Sequence, residues 1–220
     1  MSVTATPVRP SSIAIEASRL SIARHAARLF LEKGVAATSG KDIAAAAGVS
    51  ERSVWRHFRT KETCIEPLLA QSSLRFIAQM QTWSRLISIE DHLLESFALE
   101  RHSAEDVADG VLVVRLAAIL PREPDLQAVW LMASQLAEHG LQGIIARRLD
   151  RAPDEFEIRL CAAVIAAAMR VVDEDISQAA IERGVVFTSA EVVSRMAGAI
   201  RAASTMDFCD PVPLPNPSGS

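Results

Sequence analysis

The run IAAAAGVSERSVWRHF, Ile43 to Phe58, has the spacing that two short helices need to cross closely through a three-residue turn. Ala44 permits the close approach, Gly48 stands where the chain must take a left-handed conformation, and Val49 plugs the crossing. Val54 and Phe58, four residues apart, face the core, and Ile43 and Ala47 complete the buried side. What remains outward on the second helix is Arg52, Ser53, Trp55, Arg56 and His57, a set rich in hydrogen-bond donors with one aromatic and no acid. Such a face fits the major groove of duplex DNA. The plainer reading, a compact helical hairpin with a solvated basic face, leaves the agreement of glycine, alanine, cap and aromatic positions to chance.

Outward from this run the pattern stays helical. Ile22, Ala26, Leu29 and Phe30 repeat at helical spacing, which predicts a first helix from about Ser12 to Lys33 with Gly34 as its stop and Arg19, Arg24 and Arg28 on its other face. Thr38 and Ser39 offer capping hydroxyls to the segment KDIAAAAG, Ser50 caps the next helix, and Thr60 caps one that starts at Lys61. Further helices are expected near 61–86, 90–102, 104–120, 123–149, 153–183 and 189–205. Pro121 and Pro124 break the pattern, Pro153 suits a first turn and Gly184 marks a stop, whereas Pro67 falls early enough in its helix to be tolerated. No strand or GxGxxG element competes, so the fold class is all-α. Residues 1–11 read as a flexible tail, 12–60 as the helix-turn-helix domain and 61–206 as a larger helical domain. The stretch 207–220, with four prolines in DPVPLPNPSGS, reads as a disordered tail.

Composition and charge narrow the function classes. Half of the 220 residues are hydrophobic, supplied mostly by Ala, Val, Leu and Ile, with no Tyr. No apolar run approaches the roughly 20 residues needed to cross a bilayer, and MSVTATPVRPSS lacks the regions of a signal peptide, so a soluble cytoplasmic protein without membrane contact is expected. Cys64, Cys161 and Cys209 are odd in number and far apart, which indicates neither a disulfide framework nor a zinc site. Net charge is −4, but residues 12–62 carry nine Lys and Arg against five acids while residues 63–220 carry 13 against 22. That asymmetry points to a basic N-terminal module that meets polyanion.

The longer run FLEKGVAATSGKDIAAAAGVSERSVWRHFRTKE, Phe30 to Glu62, resembles the N-terminal signature of the TetR family of bacterial repressors. The resemblance implies that 51–58 is the recognition helix, with Arg52, Ser53 and Arg56 near base edges and Trp55, His57 and Lys61 gripping phosphate. Thr38 and Ser39 complete the expected DNA-binding set. Two positions depart from the family: Trp55 stands where Tyr is preferred, and Gly40 where a side chain is more usual. The resemblance further implies a cytoplasmic homodimer on double-stranded operator DNA, acting in transcription regulation as a repressor released by a small-molecule effector.

For the C-terminal body the resemblance implies only architecture, a helical domain that dimerises and encloses an effector. Helix 153–172, with Ile158, Cys161, Ala162, Ile165, Ala168 and Met169, and helix 189–205, with Val192, Val193, Met196, Ala197 and Ile200, are expected to form a four-helix bundle with their symmetry mates. Ordinary intrachain core is the competing reading for each of these residues. Arg115 interrupts the apolar run VLVVRLAAIL, and His102, Trp130, Met132, Leu136 and His139 lie on helices expected around an effector cavity. Arg115 anchoring an acidic group on an apolar ligand competes with Arg115 snorkelling to solvent or pairing with a carboxylate such as Glu138. No paired catalytic motif, HxxxH spacing or nucleotide loop supports an enzyme, and no cofactor or metal is expected. A small-molecule carrier without DNA binding would leave the basic helix-turn-helix face unexplained.

Overall fold

The computed structural model describes residues 10–97 and 103–212, and every regular element among them is helical. The chain divides into two compact units at Leu69/Ala70.

The first unit holds α1 (Pro10–Lys33), α2 (Gly40–Ala46), α3 (Glu51–His57), a 3-10 turn (Glu62–Ile65) and the start of α4 (Glu66–Gln81). α1 begins two residues ahead of Ser12 and buries Ile22, Ala23, Ala26, Ala27 and Phe30, the apolar stripe that its spacing predicts. It stops at Gly34, whose φ of +86° no residue with a side chain adopts readily. The helix expected to begin at Lys61 is instead introduced by the 3-10 turn, which buries Cys64 and Ile65. Pro67 then falls in the first turn of α4, where its missing donor leaves no helical bond unmade. Arg19 ties these pieces together: its guanidinium lies 5.6 Å from the Phe58 ring and bonds Glu66 Oε2 at 2.7 Å.

The second unit contains the rest of α4, then α5 (Ile89–Ser96), α6 (Ala104–Ile119), a 3-10 turn (Leu120–Arg122), α7 (Pro124–Leu149), α8 (Phe156–Glu182) and α9 (Ser189–Ala203). Reciprocal capping boxes open α6 (Ser103 with Asp106) and α9 (Thr188 with Glu191), each satisfying two backbone donors that a helix start leaves orphaned. α7 ends at Asp150 in a left-handed conformation, and Pro153 lies in the turn that follows rather than in the first turn of α8. α7 and α8 pack as an antiparallel hairpin whose far end is marked by the Arg122–Glu182 ion pair at 2.6 Å. Between them the core gathers Leu141, Ile144, Ile145, Ile158, Cys161, Ile165 and Met169. α4 approaches α7 where Gly140 has no side chain, since a Cβ there would fall 2.5 Å from Ile77 Cγ2. Among the described residues no helix is long and apolar enough to cross a membrane.

Two expectations are corrected here. The stretch from Asp207, expected to be a disordered tail, packs as far as Val212: Phe208 and Cys209 are buried in the core, Ile89 donates to Cys209 O at 2.8 Å, and Val212 donates to Arg85 O at 2.8 Å. The prolines obscured one aromatic and one thiol that have apolar surface to cover; residues 213–220 lie outside the described set. The α8 and α9 residues expected to face a symmetry mate, among them Ile158, Cys161, Ile165, Val193, Met196 and Ile200, are instead buried inside the chain's own core. The three cysteines are free and buried, and burial pushes the Cys64 thiol up to about 12 and that of Cys209 up to about 11, which leaves both unreactive.

Candidate nucleic-acid interface

The helix-turn-helix forms as its sequence dictates. Gly48 takes φ +67°, Val49 N–H reaches back to Ala44 O at 3.0 Å, and Ser50 Oγ accepts the Ser53 N–H at 3.1 Å to start α3. Ile43, Ala44, Val54 and Phe58 are buried, while Ala47 and Val49 are half-buried. α3 therefore has its inward side set by Val54 and its C-terminal end pinned by Phe58. Arg52, Trp55 and Arg56 are exposed, and His57 is half-buried with its ring edge-on to Phe58 at 6.3 Å. Neither Arg52 nor Arg56 has a hydrogen-bond or ion-pair partner among the described residues. Their guanidiniums stand ready for an external acceptor, with the exposed Arg59 just beyond.

Other expected contacts are committed inside the unit. Lys61 Nζ donates to Val35 O at 2.7 Å and Thr38 O at 3.0 Å, so the ammonium fastens the α1–α2 loop rather than standing free for phosphate. Thr38 is buried and its hydroxyl donates to Gly34 O at 2.8 Å. Ser39 Oγ donates to Asp42 Oδ2 at 2.6 Å and accepts from Asp42 N–H at 3.1 Å, the reciprocal cap of α2. Hydrogen bonds from the Ser39 side chain, then its backbone, with Lys33 nearby, hold the Asp42 carboxyl down to about 2. The cap is therefore intact above the ordinary aspartate range and is lost as pH falls through that value. Ser53 Oγ shares a hydrogen bond with Ser50 Oγ at 2.8 Å. The Trp55 indole, expected at phosphate, donates to Glu51 Oε1 at 3.1 Å, an acid on the outer face that the donor-rich reading left out.

Trp55 and Gly40, the two departures from the family pattern, are one adjustment. A Cβ on Gly40 would fall 2.0 Å from Trp55 Cζ2, so the indole occupies the place where residue 40 would carry its side chain. The bulkier aromatic is accommodated by emptying its neighbour.

The residues expected around an effector are scattered. His102 lies outside the described residues. Arg115 is exposed on α6, because Leu112, Val113, Leu116 and Ala117 take the inward arc of that helix, so it lines no enclosed space in this chain. His139 is also exposed, with Nδ1 on Gln135 O at 2.7 Å, and Met132 and Leu136 face outward. Of the three site residues that are described, Trp130 alone is buried.

Residues 22–68 match the family described as "Bacterial regulatory proteins, tetR family", which spans the helix-turn-helix and its flanks. The chain is 29% identical over 166 residues to the HTH-type transcriptional regulator TcmR of Streptomyces glaucescens, covering 72% of each protein. It is 38% identical over 64 residues to the HTH-type transcriptional repressor KstR2 of Mycolicibacterium smegmatis, 29% of each. In fold it resembles Salmonella enterica GusR, with a TM-score of 0.54 at 22% identity over 88% of this chain and 98% of that one. A helix-turn-helix closed by Gly48, Val54 and Phe58, the family match across it and a relative aligned over most of both chains place this protein in the TetR family of DNA-binding transcriptional regulators.

Proposed function

We propose that this regulator is a repressor that holds operator DNA as a homodimer, with α3 of each copy in a major groove, and leaves it when the helical body takes up a small molecule. The observation that carries the DNA reading is the exposure of Arg52 and Arg56, unpaired, on the face of α3 opposite the buried Val54. We assign these two guanidiniums to base edges or adjacent phosphates. The repressor sense is supported by the name of the M. smegmatis relative.

Homodimerisation is supported by α8. Phe156, Leu160, Val164 and Val171 are exposed at 70%, 48%, 42% and 59%, and with Ala167 they form one apolar stripe along the helix. A stripe of that length facing water is costly in a monomer. A two-fold partner laying the same stripe against it covers both. Truncation at about residue 188 removes α9 from the core it shares with α8 and is expected to yield aggregate.

The test of the DNA reading is a mobility shift with the promoter beside the protein's own gene, read across salt concentrations. Affinity is expected to fall steeply as salt rises, since each neutralised phosphate releases counterions. Arg56→Ala is expected to lose about 1 to 3 kcal/mol and to relax discrimination at particular bases. Absence of sequence preference under every effector condition overturns the reading. Lys61→Ala is expected to lower the melting temperature as well as operator affinity, because its ammonium holds the α1–α2 loop.

The Gly40–Trp55 pair gives a sharper probe of α3. Ala in place of Gly at the start of a helix ordinarily gains up to about 1 kcal/mol. Gly40→Ala is instead expected to swing the half-exposed indole out, break its bond to Glu51 and weaken operator binding about tenfold with little change in stability. Adding Trp55→Tyr is expected to recover most of that loss. Additive losses in the double variant, measured by operator titration, would separate the two positions.

A further inference from the structure

The helix assigned to the major groove begins with an acid. Glu51 is the first residue of α3 and is exposed, one turn ahead of Trp55, while Arg52 lies one turn ahead of Arg56 in the adjacent row. Its Oε1 accepts the Trp55 indole N–H at 3.1 Å, and among the described residues its Oε2 has neither a hydrogen-bond nor an ion-pair partner. Beside duplex DNA a carboxylate is repelled by every phosphate, so it costs affinity there unless it meets a donor.

The group that holds Glu51 is itself fixed. The Trp55 ring fills the place that a Cβ on Gly40 would take, so the start of α2 backs the ring while its N–H is turned toward Glu51. An indole nitrogen donates and never accepts, which makes it a holder of carboxylates rather than of other donors. A long acidic side chain loses rotamer freedom when it docks on a base, and the bond from Trp55 removes part of that loss before DNA arrives. The first residues of a recognition helix are also the ones that reach base edges.

The major groove offers two amino donors to such an acceptor, adenine N6 and cytosine N4. Adenine sets its amino group beside the N7 acceptor, an arrangement that suits an amide and opposes a second carboxylate oxygen. Cytosine sets its amino group beside a ring carbon, and its paired guanine presents O6 and N7 to guanidinium donors, here those of Arg52 and Arg56.

We propose that Glu51, held by the Trp55 indole, accepts a hydrogen bond from the N4 amino group of a cytosine in the operator and so determines the base at that position. The proposal rests on the reading of α3 as the operator-binding helix and names one base that this helix selects.

The experiment enriches a pool of random-sequence duplexes on the full-length protein and on its Glu51→Gln variant, then titrates single base-pair variants of the enriched site with both proteins by mobility shift. Glutamine keeps the shape and can still accept from the indole, so Trp55 stays held while the charge and the base preference change. The unsubstituted protein is expected to bind cytosine at one position at least about fivefold tighter than adenine in its place, and Glu51→Gln to prefer adenine there with discrimination elsewhere unchanged. Trp55→Phe, which removes the indole N–H, is expected to narrow the cytosine preference at that same position. The same enriched site for both proteins, a gain or loss of affinity in Glu51→Gln that is equal for every duplex, or a base other than cytosine at the position it alters overturns the proposal. Circular dichroism shows that each variant is folded. An enriched site whose sequence ignores Glu51 overturns the role of this residue alone, whereas enrichment of no sequence by the unsubstituted protein overturns the DNA reading and this inference with it.

Discussion

Arg148→Met is expected to lower stability by about 3 to 5 kcal/mol, measured by denaturant unfolding of the whole chain. Arg148 is fully buried near the end of α7, and no carboxylate among the described residues pairs with it. Its guanidinium instead gathers carbonyls: Nε donates to Phe208 O at 2.8 Å, one terminal nitrogen to Ser84 O at 2.6 Å and the other to Asp210 O at 2.9 Å. The plane lies 3.6 Å from the centre of the Trp83 ring. Burial brings its pKa down to about 10, well above neutrality, so the group stays charged in the fold. Met keeps the length of the stem but leaves the buried Phe208 carbonyl and the part-buried Ser84 and Asp210 carbonyls without this donor, and the segment 208–210 loses its fastening to the 84–87 turn. Limited proteolysis is expected to cut that segment first in the variant. Arg148→Lys should recover only part of the loss, because an ammonium cannot fork to acceptors on two segments and stack on the indole together. A loss below about 1 kcal/mol would show that water replaces the guanidinium at little cost.

Val164→Asp is expected to convert the proposed homodimer to a monomer, read by light scattering, with its helical circular dichroism unchanged. Val164 sits in the middle of the exposed α8 stripe, so a carboxylate there is harmless to a single chain and buried unpaired in a dimer. Operator affinity should fall by a factor on the order of 100 or more, because two half-sites are then engaged by separate molecules. Met196→Asp makes the control. Met196 is 5% exposed inside the chain's own core, so the same charge there should unfold the protein rather than dissociate it. A dimer that persists with Val164→Asp would place the interface elsewhere.

Both expectations depend on side-chain neighbours rather than on helical pattern, and that is where the sequence and the structure part company. The apolar period of α1, the glycine that turns left-handed at 48, the Ser39 and Ser50 caps and the inward pair Val54 and Phe58 are local features, set by residues within a turn or two of each other. They were legible without any tertiary contact, and so was the basic outer face of α3. Period alone identifies an apolar face but not what covers it. α8 carries two apolar stripes, and only packing decides that Ile158, Ile165 and Met169 turn inward while Leu160, Val164 and Val171 stay out.

The sequence by itself determined an all-helical chain with a helix-turn-helix between Ile43 and Phe58, because capping, glycine conformation and i,i+4 burial act over a few residues. Only the tertiary structure decided the partners of its long polar side chains. Lys61 reaches the loop 26 residues before it, Arg148 reaches a C-terminal segment 60 residues after it, and the Trp55 indole fills the place left by Gly40. Those contacts join segments whose separation along the chain carries no periodic signal, and long side chains have enough reach to choose among several acceptors until the backbone has folded around them.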